Sequence, residues 1–261
     1  MMKNCNVRPV VITRPLAQAR PLAQRIAETG REAVVFPLLE ILPLSNQTNL
    51  RDALQKLDKY AMVAFVSPNA IDAAFGLLDS WPAQVAVAVV GEGSKIALAR
   101  HGVTSVNATI FSPVDPTRTD SQTLLEVLDL QALRGKRVLI IRGETGRELL
   151  SDALRAHGVE VERVAAYRRV APVLDQGGRA QLLRLLDCAA DWVITSSEAL
   201  HILVQMVREV AGDIGLVKMQ QQNIIVPHVR IAETAQMLGF TNITQTGSGD
   251  EQLIAALQFR A

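Results

Sequence analysis

An apolar run closing on Thr13-Arg14 returns further along the chain as one closing on Ile141-Arg142. Gly30, after the helix that follows, returns as Gly158, and Pro43 returns as Pro172. Phe65-Val66-Ser67-Pro68-Asn69-Ala70 returns as Ile194-Thr195-Ser196-Ser197-Glu198-Ala199. Each pair lies roughly 130 positions apart, whereas solenoid units recur at about 20–50. The pair His101-Gly102 and Leu238-Gly239 is wider, so the second copy has gained residues. So long a period describes two similar domains, and two domains make a cleft.

The 261 residues suffice for two domains of about 130 each. A hydrophobic fraction of 49% with only 4% aromatics predicts cores of Val, Leu, Ile and Ala, as in parallel sheets covered by helices. A net charge of +1 argues against a general nucleic-acid or membrane-surface partner. Cys5 and Cys188 have no metal-ligand or redox spacing and suggest a reducing compartment. No apolar run approaches the roughly 20 residues of a membrane span, and the start of the chain does not read as a signal peptide. A cytoplasmic protein is expected.

Strands and helices alternate. Val10-Val11-Ile12 reads as a strand, Leu16 to Thr29 as a helix closed by Gly30, and Ala33 to Leu44 as extended, with Pro37 and Pro43 excluding a helix. Helices are expected over 49–60, 70–81 and 94–101, and strands over 62–66, 85–90 and 103–106. Residues 107–119 read as loop, with Asp120 capping the helix around Leu124 and Leu128. The second copy gives strands over 138–141, 159–170, 193–195, 224–226 and 242–244. Its helices are expected over 147–156, 179–186, 199–210, 231–238 and 251–259. The order implies mostly parallel, doubly wound sheets. The runs 32–44 and 160–172 each end in a proline and are longer than a core strand needs. If both cross between domains, they pair as a two-stranded bridge; otherwise each is an ordinary connection.

Ligands of open α/β sheets lie beyond the carboxyl ends of the strands. Those ends carry Thr13-Arg14, Ser67-Pro68-Asn69, Gly91-Glu92-Gly93-Ser94, Arg142-Gly143 leading to Arg147, Thr195-Ser196-Ser197 and Pro227-His228. Such steps expose N–H groups at helix starts, and the arginines add fork-shaped donors, so carboxylates or phosphates are the expected ligands. The same small residues also serve simply as helix caps. Gly91-Glu92-Gly93-Ser94-Lys95-Ile96 has Ile96 where a dinucleotide loop needs its third glycine. The four histidines are scattered, and no metal cluster or Ser–His–acid order is evident.

These residues together resemble the uroporphyrinogen-III synthase family. The likeness rests on Val11-Ile12-Thr13-Arg14-Pro15, Phe36-Pro37-Leu38, Phe65 to Ala70, and Val90-Gly91 leading to Ser94. It continues through Asp120-Ser121-Gln122, Arg142-Gly143 with Gly146-Arg147-Glu148-Leu149, Tyr167 before Pro172, and Thr195-Ser196. The resemblance implies two similar flavodoxin-like domains, 1–38 with 172–261 and 44–166, joined by a two-stranded ladder of 39–43 and 167–171. It implies closure of the linear tetrapyrrole hydroxymethylbilane with inversion of the terminal ring and loss of water. No cofactor is implied; a monomer in transient contact with the preceding enzyme of the pathway is the expectation for partners.

By the same resemblance Tyr167 is the proton donor to the leaving hydroxyl, or else an aromatic wedge. Thr13, Arg14, Ser67, Asn69, Gly91, Ser94, Arg142, Gly143, Ser196, Ser197 and His228 would bind substrate. Ser94 keeps the hydroxyl of the family's threonine; Arg230, at the equivalent place in the other repeat, does not, and Gln122 replaces a common acid. The rival reading is a two-lobed small-molecule binding protein without catalysis.

Overall fold

The computed structural model describes residues 8–115 and 121–258, so Cys5 and the expected cap Asp120 lie outside the described residues. β1 (Val10–Ile12), α1 (Leu16–Glu28), β2 (Ala33–Val35) and β3 (Glu40–Pro43) open the chain. Next come α2 (Thr48–Leu54), β4 (Met62–Phe65), α3 (Pro68–Phe75), β5 (Ala86–Val89), α4 (Glu92–Arg100) and β6 (Ile110–Phe111). α5 (Ser121–Leu125) and α6 (Leu130–Leu133) lead to β7 (Arg137–Gly143), α7 (Leu149–Ala156) and β8 (Glu160–Val170). The remainder is α8 (Gln176–Asp187), β9 (Asp191–Val193), α9 (Ser197–Gln220), β10 (Asn223–Val226), α10 (Val229–Met237), β11 (Asn242–Gln245) and α11 (Asp250–Gln258). No helix among the described residues is long and apolar enough to cross a membrane.

The chain packs as two compact units, one taking residues up to Glu40 and from Val170 onward, the other Ile41–Arg169. The first contains a five-stranded sheet ordered β11-β10-β9-β1-β2, parallel throughout. Because side chains alternate across a strand, Val11, Trp192 and Ile224 face α8, α9 and α10, while Val10, Ile12, Val193 and Ile225 face α1 and α11. The second contains a sheet ordered β3-β8-β7-β4-β5-β6, with parallel pairs from β8 through to β6. Its two faces are equally dry: Val63, Phe65, Val87 and Leu139 on one, Met62, Ala64, Val138 and Ile140 on the other. Helices on both faces explain strands that read as unbroken apolar runs.

Several expected elements differ. The run 33–44 breaks at Pro37, where Phe36 and Leu38 donate to the carbonyls of Ile12 and Thr13 and pack into the first unit's core. Its remainder, β3, joins β8 in the other sheet; β8, with no internal proline, continues unbroken for 11 residues. No strand forms over 103–106. Asn107 folds that segment into a turn, its Oδ1 accepting from Thr104 N at 2.9 Å and its Nδ2 donating to Gly102 O at 2.7 Å. The edge strand is β6 instead, inside the expected loop. α3 stops at Gly76 rather than reaching Trp81, and α2 gives way to a 3₁₀ turn at Leu57–Lys59. α9 continues past Val210 to Gln220, kinked at Gly212 (φ 63, ψ −162), because Leu216 and Met219 have core to fill. α6 has no counterpart in the sequence reading; Asp129 caps it by accepting from Ala132 N at 2.9 Å.

At the amino ends of the first unit's strands, Arg31 donates to Asp191 at 2.6 Å, with side chains only 6% and 2% exposed. Asp191 also accepts from Asn223 Nδ2 at 2.7 Å, and Arg31 donates to the carbonyls of Leu257 and Arg8. One ion pair thus ties β9, β10 and the end of α11 together. Removing one partner of such a pair strands the other charge in a dry environment. Asp191→Ala is therefore expected to lower the unfolding free energy by about 3–5 kcal/mol in urea titration. A loss below about 1 kcal/mol, the worth of a surface pair, would show that the network does not carry this weight.

Candidate active site

The second unit gathers its predicted residues where β4, β5 and β7 end. Ser67 is the N-cap of α3: its backbone is extended (φ −166, ψ 156) and its Oγ accepts from Ala70 N at 3.2 Å. Pro68 and Asn69 form the first turn of α3. Gly91 caps α4 through its carbonyl, which accepts from Ser94 N at 3.0 Å and Lys95 N at 3.2 Å. Gly93 lies against Pro68, with its Cβ position 3.6 Å from Pro68 Cγ, so the two helix starts stand together. Ser94 is 2% exposed there.

Tyr167 reaches the same place from β8. The β7–β8 register slips between Arg142, opposite Ala165, and Gly143, opposite Tyr167. A bulge of this kind re-aims the residue that follows it. The Tyr167 ring lies across Gly143, where an added Cβ would meet Cζ at 3.0 Å and Oη at 3.2 Å. Buried to 5% exposure, the ring delivers its hydroxyl to Ser67 Oγ at 3.1 Å, and either oxygen can donate.

Arg142 is buried at the end of β7, where Nη1 donates to Glu148 Oε1 at 3.0 Å and to the Arg147 carbonyl at 3.1 Å. Burial first, and then the charges of Arg163 and Arg169, push the Arg142 guanidinium below its ordinary value, with Tyr167 opposing them. An arginine stays protonated through any such shift, so the site remains cationic. Glu148 also pairs with Arg163, and Arg169 donates to the carbonyl and hydroxyl of Thr145, both at 3.2 Å. Sequence reading missed Arg163 and Arg169. The available signal was their place in the same strand as Tyr167, which a reading confined to strand ends does not reach.

In the first unit the strand ends carry Thr13, Arg14, Ser196, Ser197 and His228. Thr13 is buried and donates to Val193 O at 2.8 Å; Arg14 pairs with Asp250 at 2.6 Å. Ser196 caps α9 by accepting from Ala199 N at 3.1 Å, and His228 caps α10 with Nδ1 accepting from Arg230 N at 3.2 Å. Ser197 Oγ lies 2.8 Å from Thr234 Oγ1. That hydroxyl already donates to Arg230 O, so Ser197 is the donor between them. Thr234 is a third residue the sequence reading missed.

These are parallel α/β sheets whose strand ends present hydroxyls, helix starts and guanidiniums. Residues 20–255 match the family described as uroporphyrinogen-III synthase HemD. The uroporphyrinogen-III synthase of Salmonella typhimurium is 32% identical over 254 residues, 95% of this chain and 99% of that protein. That of Escherichia coli is 31% identical with the same coverage. The solved uroporphyrinogen-III synthetase of Helicobacter pylori is similar with a TM-score of 0.63 over 97% of this chain and all of that one, at 16% identity. A mutant uroporphyrinogen III synthase from Thermus thermophilus gives 0.57, with 97% of each chain covered at 16% identity. At that identity the two structures speak for the fold. The chain belongs to the uroporphyrinogen-III synthase family.

The contact between Gly143 and Tyr167 has a measurable energy. Gly143→Ala is expected to cost about 1–3 kcal/mol of stability by overpacking. In a Tyr167→Ala background the obstructing ring is gone, so the cost should shrink by about 1 kcal/mol or more in a double-mutant cycle. Strictly additive losses would show that something other than the ring excludes the methyl group.

Proposed function

We propose that this protein closes hydroxymethylbilane to uroporphyrinogen III, inverting the terminal pyrrole and releasing water. The observation that carries the reading is the Tyr167 hydroxyl, 3.1 Å from a capping serine at the end of a buried strand, in a chain of this family. Tyr167 gives its proton to the departing hydroxyl as the C–O bond breaks and the pyrrole supplies the electron pair. Ser67 accepts from Ala70 N and turns its own proton toward Tyr167 Oη, which leaves the tyrosine proton for the substrate. The azafulvenium carbon is attacked at a substituted carbon of the last pyrrole. The spirocyclic pyrrolenine then fragments and recloses with that ring reversed. The proton lost as the final pyrrole regains aromaticity returns to the tyrosinate. Every proton is thereby accounted for within the chain and substrate.

The substrate carries eight carboxylates. Helix-start N–H groups at Ser67, Asn69, Gly91, Ser196, Ser197 and His228 suit them, as do Arg142, the Ser94 hydroxyl and the backbone at Gly143, while Thr13, whose N–H and hydroxyl both donate to Val193 O, holds the strand end beside them. Arg14 joins this set by exchanging Asp250 for a substrate carboxylate. The two units correspond, in this reading, to domains 1–38 with 172–261 and 44–166, with β3 and the end of β8 as the connecting ladder. We take the protein to act as a cytoplasmic monomer, meeting the preceding enzyme of the route only transiently. Orientation matters as much as rate, because unaided closure leaves the ring uninverted.

A coupled assay decides the matter. Hydroxymethylbilane is supplied, the products are oxidised, and the I and III isomers are separated. Isomer III is expected to dominate and to form faster than isomer I does without protein. Binding of the substrate with no turnover would instead establish a binding protein.

A further inference from the structure

At the end of β7 one carboxylate holds two guanidiniums from neighbouring strands. Glu148 Oε1 accepts from Arg142 at 3.0 Å, and Oε2 pairs with Arg163 while lying 3.0 Å from Ser151 Oγ. Arg169 stands close enough for its charge to act on Arg142. The same strand end carries Gly143 and the Tyr167 ring. A carboxylate shared by two arginines is how an acetate or propionate arm would sit, yet here the chain supplies the carboxylate.

We propose that Glu148 is an internal stand-in for a substrate carboxylate, holding the seat formed by Arg142 and Arg163 until an arm of the polycarboxylate displaces it. This rests on the reading of the reaction given above. Glu148 is able to move: its side chain is 46% exposed, and it precedes α7 without making a side-chain cap bond. Displaced from the arginines, its carboxylate still has the N–H groups and positive dipole end of α7 as partners. The exchange also selects. A lone carboxylate competes poorly with a tethered one, whereas a ligand anchored by other arms brings its carboxylate at high effective concentration. Glu148 therefore acts as a positioning residue that screens out monocarboxylates.

Glu148→Gln removes the competing charge and keeps the shape. Because the Glu148 carboxylate is itself half-exposed, KM for hydroxymethylbilane should fall by about two- to fivefold, with the effect on KM rather than kcat. Acetate, added as a monocarboxylate probe, should inhibit this variant at concentrations that leave the parent untouched. Arg163→Gln should raise KM, and it reads the seat independently if Glu148→Gln proves unstable on heating. A folded Glu148→Gln with unchanged or higher KM and no new acetate inhibition overturns the inference, as does Arg163→Gln with unchanged KM. Failure of the parent protein to make isomer III would instead overturn the reading of the reaction itself.

Discussion

The β7–β8 pair sets where everything else in the second unit can stand. Parallel pairing holds both strands in the middle of a dry sheet, and the slip at Arg142 and Gly143 turns Tyr167 across the end of its neighbour. The absence of a side chain at Gly143 lets the ring lie there, and the ring carries the hydroxyl to Ser67. Arg142, the last residue before the slip, is left buried and must find its partner in the loop that follows, which is why Glu148 is held against it. Without the slip, continued alternation would send the ring to the opposite face.

The stability of this arrangement comes from elsewhere. Branched apolar residues fill both faces of each sheet, and the buried Arg31–Asp191 pair fastens the amino ends of the first unit's strands. The carboxyl ends of the strands are built differently: Ser67 and Ser196 cap α3 and α9, their hydroxyl oxygens accepting from Ala70 N and Ala199 N. Capping and binding are compatible because a serine oxygen that accepts from one N–H still has a hydrogen to give. His228, accepting through Nδ1, is bound to the tautomer that keeps its proton on Nε2.

Much of this was legible before the structure. The alternation of Val-rich runs with amphipathic segments is enough to predict parallel sheets covered by helices, and Gly30 and Gly158 do adopt the positive φ of helix-ending glycines. Short-range chemistry was the obstacle. A side chain closing a turn at Asn107 overrode a β-branched pattern, and a glycine kink at Gly212 hid the remainder of α9. Within the candidate site, strand-end logic reached Ser67, Gly143 and Arg142. Arg163 and Arg169 escaped it because a charged residue inside a strand is ordinarily just its wet side; their convergence depends on β8 lying beside β7, which spacing alone does not display. Tyr167 entered through family resemblance, since nothing in its local sequence announces a bulge.

In the proposed reaction the Tyr167 hydroxyl gives the proton that lets water leave. Single-turnover consumption of hydroxymethylbilane by Tyr167→Phe tests it most directly, because the ring stays on Gly143 while the donor is removed. General acid assistance is commonly worth about 10²–10⁴-fold, so the rate should fall at least a hundredfold, on the order of the lower bound, with isomer III still the main product. A phenylalanine variant that consumes substrate at nearly the parent rate would contradict the account, leaving Tyr167 as packing alone.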